Sequence, residues 1–193
     1  MKLGVYGGTF SPPHVGHLIV ASAVREQLGL ERVLFVPGAV PPHKTGQEIL
    51  DGSHRLAMLR LAVEGDEGLG VSDIELRRGG VSYTVETLGE LARLYAGAEL
   101  HLLIGMDNYT EFDTWREPEG ILRLARLVVM TRPGYTKRGA PKLPAERVTF
   151  CDVPEIEVAS RQIRKRVREG KPIRYLVPPA VERYVMEHRL YAG

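Results

Sequence analysis

Two histidines three positions apart, His14 and His17, close the run Gly7-Gly8-Thr9-Phe10-Ser11-Pro12-Pro13-His14-Val15-Gly16-His17. Imidazoles at that spacing on a helix lie one turn apart on one face, so both can reach a single anion. The residues before them complete the setting. Lys2 to Tyr6 suit a buried strand, Gly7 and Gly8 let main-chain amides approach a ligand, and a helix opening near His14 adds the positive end of its dipole. Phosphate is the anion that such a place attracts, and Gly16 leaves room for a nucleotide beside it. A zinc reading of His14, His17 and His43 lacks the carboxylate that metalloproteases carry at helical spacing.

Four further segments carry groups that could serve such a site. In Pro41-Pro42-His43-Lys44 the prolines restrict the chain and hold the Lys44 cation ready for a phosphate. In Gly79 to Leu88, Ser82 is expected to cap a helix with Glu86 in its first turns, and free amides around Thr84 favour a carboxylate over a neutral amide. Ile104-Gly105-Met106-Asp107 ends a predicted strand, and Trp115, whose indole suits a flat electron-poor ring, follows eight residues later. In Ile156 to Arg164, a helix capped by Ser160 places Arg164 one turn on, with both groups free to hold phosphate oxygens.

The first run resembles the H-x-G-H signature of the nucleotidylyltransferase superfamily. Its longer form, G-G-T-F-x-P-x-H-x-G-H, is similar to the bacterial nicotinate mononucleotide adenylyltransferases. P-x-H-K at 41–44, G-x-S-Y-T-x-x-T-L at 80–88, I-G-x-D at 104–107 followed by Trp115, Arg132-Pro133-Gly134, Leu176-Val177-Pro178-Pro179 and Leu190-Tyr191 are similar to the same family. The segment at 156–164 resembles the family's I-S-S-T-x-I-R, with Ala159 for a serine and Arg161, which offers charge instead of a hydroxyl, for a threonine. Ser11 stands where the family usually has aspartate. The resemblance runs from Leu3 to Tyr191.

It implies adenylyl transfer from ATP to nicotinate mononucleotide, giving deamido-NAD and pyrophosphate. It further implies catalysis by His14, His17, Lys44 and Arg164 through cancelling moving charge. ATP would be bound by Gly7, Gly8, Thr9, Phe10, His17, Gly105, Asp107, Ser160, Ile163 and Arg164. The mononucleotide would be bound by Lys44, Tyr83, Thr84, Asp107, Trp115 and Arg132. Mg2+ is expected to arrive with ATP, because no dedicated carboxylate cage is evident. Pantetheine-phosphate adenylyltransferase stays open as an alternative within the superfamily; its usual T-N-G-H differs from His14-Val15-Gly16-His17. A non-catalytic ATP sensor stays open from another class.

Two other nucleotide-binding schemes fail on the text. A dehydrogenase wants G-x-G-x-x-G and an acidic residue closing the second strand, but Val33 to Val36 runs into Pro37 and Gly38; a P-loop wants a lysine that Gly7-Gly8-Thr9 lacks. Composition agrees with small-molecule partners: 193 residues, 44% hydrophobic and 26% charged, carry a formal charge of only +2, too little for a nucleic-acid coat. Cys151 is the sole cysteine, so a disulfide within the chain is impossible and a reducing cytoplasm is expected. No apolar run approaches membrane-spanning length. Asn108 is the only asparagine and glutamine is scarce, which suits a thermophilic source.

Apolar runs at Leu3 to Tyr6, Val33 to Val36, Val71 to Ile74, Leu100 to Ile104, Leu127 to Met130 and Val148 to Phe150 read as strands buried on both faces. Helices are predicted between most of them: Leu18 to Leu28, a stripe at Leu56, Leu59 and Val63, and another at Val85, Leu88, Ala92 and Tyr95. The alternation predicts an α/β fold, a Rossmann-like three-layer α/β/α arrangement around a parallel sheet, with the ligand at the carboxyl ends of the strands. Helices at Ser160 to Glu169 and Pro179 to His188 are expected to cap that sheet, so residues 1–193 are expected to form one domain. Long loops at Gly38 to Gly52 and Arg132 to Pro144 are expected to bind or close over something. A homo-oligomer is compatible with everything above.

Overall fold

A computed structural model describes residues 1–40, 50–131, 141 and 143–192 of the chain. Six strands alternate with eight helices among these residues. In chain order they are β1 (Lys2–Gly8), α1 (Val15–Leu28), β2 (Arg32–Pro37), α2 (Gly52–Val63), β3 (Leu69–Val71), α3 (Ile74–Arg78), α4 (Thr84–Leu94), β4 (Glu99–Gly105), α5 (Met106–Thr110), α6 (Pro118–Leu124), β5 (Ala125–Thr131), β6 (Val148–Asp152), α7 (Ser160–Arg168) and α8 (Pro179–Glu187). All strands pair in parallel in the order β3-β2-β1-β4-β5-β6. The order reverses between β1 and β4. In open α/β sheets that switch point is where two carboxyl ends diverge and leave a crevice.

Side chains alternate across a strand, so each strand feeds two cores. Leu3 and Val5 of β1, Leu34 and Val36 of β2, Leu100, Leu102 and Ile104 of β4, and Leu127 and Val129 of β5 face one side. There they meet Ile74 of α3, Leu88 and Leu91 of α4, Tyr109 of α5 and Ile121 of α6. Val33, Phe35, Leu103, Val128 and Met130 face the other side, against Ala21 and Val24 of α1 and Leu59 of α2. A third cluster joins Ile163, Ile173, Val177, Val181 and Val185 to Met58 of α2. The C-terminal helices therefore dock on the outside of α2, and α2 sends neighbouring side chains into two cores.

The expected strands and main helices are present, with two shifts. β3 ends at Val71, and Ile74 opens α3 instead of closing the strand, with Asp73 at the N-cap position and its carboxylate paired with Arg77 at 2.9 Å. The buried face of α2 is Arg55, Met58 and Leu59, not the stripe at Leu56, Leu59 and Val63. α1 stops at Gly29, whose φ of 58° is a left-handed turn that a side chain would resist; the Leu30 amide then bonds back to the Arg25 carbonyl.

Met58 is fully buried where the C-terminal helices meet α2. Met58→Ala should lower unfolding free energy by about 2–5 kcal/mol in a denaturant titration.

Candidate active site

The carboxyl end of β1 and the start of α1 form one continuous turn. Gly7 and Gly8 close the strand, and His14 takes the N-cap position of α1 with extended backbone, φ −137° and ψ 168°. The His14 N–H, one of the four donors a helix start leaves unpaired, bonds to His17 Nδ1 at 3.2 Å. The two rings then stack, with centroids 3.6 Å apart and planes at 23°. Phe10 meets the His17 ring edge-on at 5.0 Å, with Tyr6 at 6.1 Å, and Phe10 itself rests on Phe35. An aromatic seat holds the second imidazole.

Burial pushes His14 down to about 4, and burial together with the adjacent His14 pushes His17 down to about 3. Both rings are neutral at pH 7. Because His17 Nδ1 accepts from the main chain, the neutral ring carries its proton on Nε2 and donates from there. The imidazoles expected to cancel charge therefore act first as hydrogen-bond donors. His14 Nδ1 is buried without a partner among the described residues.

The crevice at the switch point has two lobes. The narrower, about 480 Å³, runs past Gly7, Gly8, Thr9 and Phe10 to Glu75, Ser82, Thr84, Thr87 and Trp115. The wider, about 860 Å³, runs past His14, Gly16 and Asp107 to Ile156, Val158, Ala159 and Ser160. Tyr6, His17, Gly105, Asn108 and Met130 line both. A helix start lines each lobe, α4 at Thr84 and α7 at Ser160, whose first amides have no partner within the helix and favour an anion. Two anionic ligands laid end to end would meet beside His17.

A match to the family described as cytidylyltransferase-like covers residues 5–166. The chain belongs to the cytidylyltransferase-like family. Among its relatives, a protein of Thermomicrobium roseum named probable nicotinate-nucleotide adenylyltransferase is 47% identical over 98% of this chain and 91% of its own length. A Thermus thermophilus protein of the same name is 46% identical over 99% of this chain and its own whole length. The fold is also that of a Plasmodium falciparum nicotinic acid mononucleotide adenylyltransferase complexed with NaAD. That structure superposes with a TM-score of 0.78 at 15% identity, over 98% of this chain and 97% of the other.

Within this cytidylyltransferase-like chain the glycines fall into two groups. An added Cβ at Gly7 or Gly105 meets nothing within 4 Å, so the space above both is open crevice. At Gly8 it would strike the Phe10 ring at 2.8 Å, and at Gly16 it would press on the His14 ring at 3.1 Å and on Ile156 at 3.3 Å. Gly8 and Gly16 thus admit aromatic rings of the protein, and Gly7 and Gly105 leave room for a ligand. Phe10 is buried, with φ 49°, and supports His17.

The other expected residues scatter. Thr84 and half-buried Trp115 line the narrow lobe, and exposed Asp107 lines the wide one. Tyr83 precedes α4 and lies under the Arg116 guanidinium at 4.3 Å, lining neither lobe. Ser82 does not cap α4; its hydroxyl accepts the Ala39 N–H at 2.9 Å, tying the helix start to the exit of β2. Ser160 does not cap α7 either. The N-cap is Ala159, and Ser160 Oγ donates to the Pro12 carbonyl at 2.8 Å while Arg164 Nη1 donates to the Ser11 carbonyl at 2.7 Å. Ile163 is wholly buried in the third core, so its side chain is unavailable to ATP. Lys44 and Arg132 lie outside the described residues.

Sequence reasoning missed Glu75, a buried carboxylate in the narrow lobe that accepts the Thr87 hydroxyl at 2.6 Å. It also missed the bond between Ser11 Oγ and Tyr191 Oη at 2.9 Å, which gives this chain's Ser11 a partner of its own. Buried Arg55 was missed as well, because the pattern of α2 gives no sign that position 55 faces inward.

Gly7→Ala and Gly105→Ala should leave the melting temperature unchanged within a few degrees while weakening nucleotide binding at least 10-fold by titration calorimetry. As pH falls below the ordinary histidine value, the unfolded chain takes up protons at positions 14 and 17 while the folded chain does not, so stability is full above about pH 6.5 and is lost on the way down to 4 and 3. Each ring contributes a slope of up to about 1.4 kcal/mol per pH unit. The double variant His14→Asn with His17→Asn should show a correspondingly flatter fall in urea titrations between pH 6.5 and 4.5.

Proposed function

We propose that the protein transfers the adenylyl group of ATP to nicotinate mononucleotide, forming deamido-NAD and pyrophosphate, a step of NAD biosynthesis. The observation that carries this reading is the two-lobed crevice whose lobes share His17, each lined by a helix start. Full-length relatives at 46–47% identity that bear the nicotinate-nucleotide adenylyltransferase name support the choice of substrates.

The mononucleotide takes the narrow lobe. Its ring lies against Trp115, and the free amides at the start of α4, around Thr84, receive the nicotinate carboxylate. ATP takes the wide lobe, with Asp107 on the nucleoside side and the α7 start, Ser160 and His14 toward the phosphates. A mononucleotide 5′-phosphate oxygen attacks the α-phosphorus in line; the bond from that phosphorus to the oxygen bridging to the β-phosphate breaks, and pyrophosphate leaves with the electron pair. His17 Nε2–H donates to the phosphate oxygens as charge shifts, and positioning supplies the rest. Arg164 serves this chemistry by holding the Ser11 carbonyl. Lys44 and Arg132 are assigned to phosphate contacts on the strength of the family motifs, and Arg161 to added positive charge at the α7 start.

No group of three or more His, Cys, Asp or Glu side chains that could hold a metal is found among the described residues. In this reading Mg2+ is part of the ATP substrate, carried on its phosphates. No described helix is long and apolar enough to cross a membrane, and a cytoplasmic enzyme supplied with both nucleotides is the setting proposed.

The test is pyrophosphate release from ATP and Mg2+ with nicotinate mononucleotide, its amide, or phosphopantetheine in separate reactions. Release with the acid foremost is expected; release with phosphopantetheine alone would move the protein to another branch, and none with any acceptor would leave a nucleotide sensor. His17→Ala should lower kcat by about 10²–10³-fold, the loss seen on deleting one positioned donor, with the circular dichroism spectrum unchanged.

A further inference from the structure

Among the described residues Arg55 is the largest fully buried side chain, only 2% exposed, and no salt bridge reaches it. Its guanidinium is spent on main-chain carbonyls. Nε donates to Leu50 at 2.8 Å, Nη1 to Thr9 at 3.1 Å and Nη2 to Ala39 at 3.4 Å. Burial alone disfavours the cation, and the charges of Asp51 and Glu75 hold it. A buried charge without a bonded carboxylate is a costly way to fill space beside Met58, where an apolar side chain of that length would pack without desolvation.

Two of the three carbonyls, those of Thr9 and Ala39, belong to segments that wall the narrow lobe, and the third, of Leu50, anchors the guanidinium beside the start of α2. Thr9 belongs to the glycine turn that forms one wall. Ala39 follows Gly38, which lines the same lobe and whose amide bonds to the Gly8 carbonyl at 3.0 Å. The Ala39 amide donates to Ser82 Oγ, the Ser82 amide donates to the Val40 carbonyl, and Val40 pairs with Val81. Two residues past Ser82, α4 begins. One planar cation therefore sets the distance from the glycine turn, through the exit of β2, to the amides at the start of α4. None of its acceptors lines the wide lobe.

We infer that Arg55 is a positioning residue for the narrow lobe, fixing the separation of its two walls and thereby the fit of the mononucleotide, without touching either nucleotide. The guanidinium shape is the requirement: three donors in a planar fork reach three carbonyls, and a lysine ammonium is a single point. This inference deepens the adenylyl-transfer reading and rests on it for the identity of the occupant, but the geometry it asserts is testable without turnover.

Hydrogen exchange reads that geometry directly. In Arg55→Met the amides of Gly38, Ala39 and Ser82 should exchange at least 10-fold faster relative to those of β4, while Met58→Ala, on the same buried face of α2, lowers global stability without singling them out. In steady-state kinetics Arg55→Met should raise KM for nicotinate mononucleotide at least 10-fold and KM for ATP less than twofold. Arg55→Lys, which keeps the charge and serves if the methionine variant does not fold, should fall between. Unchanged relative exchange at those three amides in either variant overturns the inference whether or not the wild-type protein turns over. Equal rises in both KM values overturn its restriction to one lobe. A wild-type protein inactive with every acceptor, but with the exchange pattern as expected, overturns the adenylyl-transfer reading and leaves the brace.

Discussion

One main-chain N–H, that of His14, orders the site. It is an orphan donor by the geometry of helix starts, and by bonding to His17 Nδ1 it satisfies itself, turns the imidazole and fixes which nitrogen keeps the proton. Everything around the pair serves that bond. Gly16 gives the His14 ring its place, Phe10 accepts a left-handed backbone to seat the His17 ring, and Gly8 lies bare beneath Phe10. The run from Gly7 to His17 is thus as much a set of packing rules for two rings as a set of ligand contacts.

The sheet provides the place and the C-terminal helices provide the restraint. β1 and β4 diverge at the switch point, which opens the crevice, but the turn from Gly8 to His14 contains Pro12 and Pro13, which have no N–H to bond with, and it is held from outside. Its carbonyls at Ser11 and Pro12 are taken by Arg164 and Ser160, its Ser11 hydroxyl by Tyr191, and the Val15 amide by the Leu176 carbonyl. Arg55 takes the Thr9 carbonyl from the other side. Polar groups that would otherwise face unpaired burial become the fastenings of the loop.

Much of this was legible in the sequence. Alternating apolar runs give the strands, because a parallel strand covered on both faces needs little else, and the glycine-histidine spacing gives the turn, because local geometry links those residues. Ser160 and Arg164 were legible as a pair but not in what they hold. One helical turn puts them together, yet their partners at Pro12 and Ser11 lie some 150 positions away. Arg55 and Glu75 were hidden for the same reason, since burial by distant segments leaves no periodic trace. Ile74 was misplaced because an apolar residue closing a run fits a strand or a helix start equally well; in the structure it opens α3 behind Asp73.

The bond between Ser11 and Tyr191 spans 180 positions. Every strand and the turn after β1 are made before residues 160–191 leave the ribosome, so a nascent chain can pair its whole sheet while that turn still lacks its outer fastenings. The crevice is therefore complete only once the C-terminal helices have docked, since that segment supplies the contacts at Ser11 and Pro12 that fasten one of its walls.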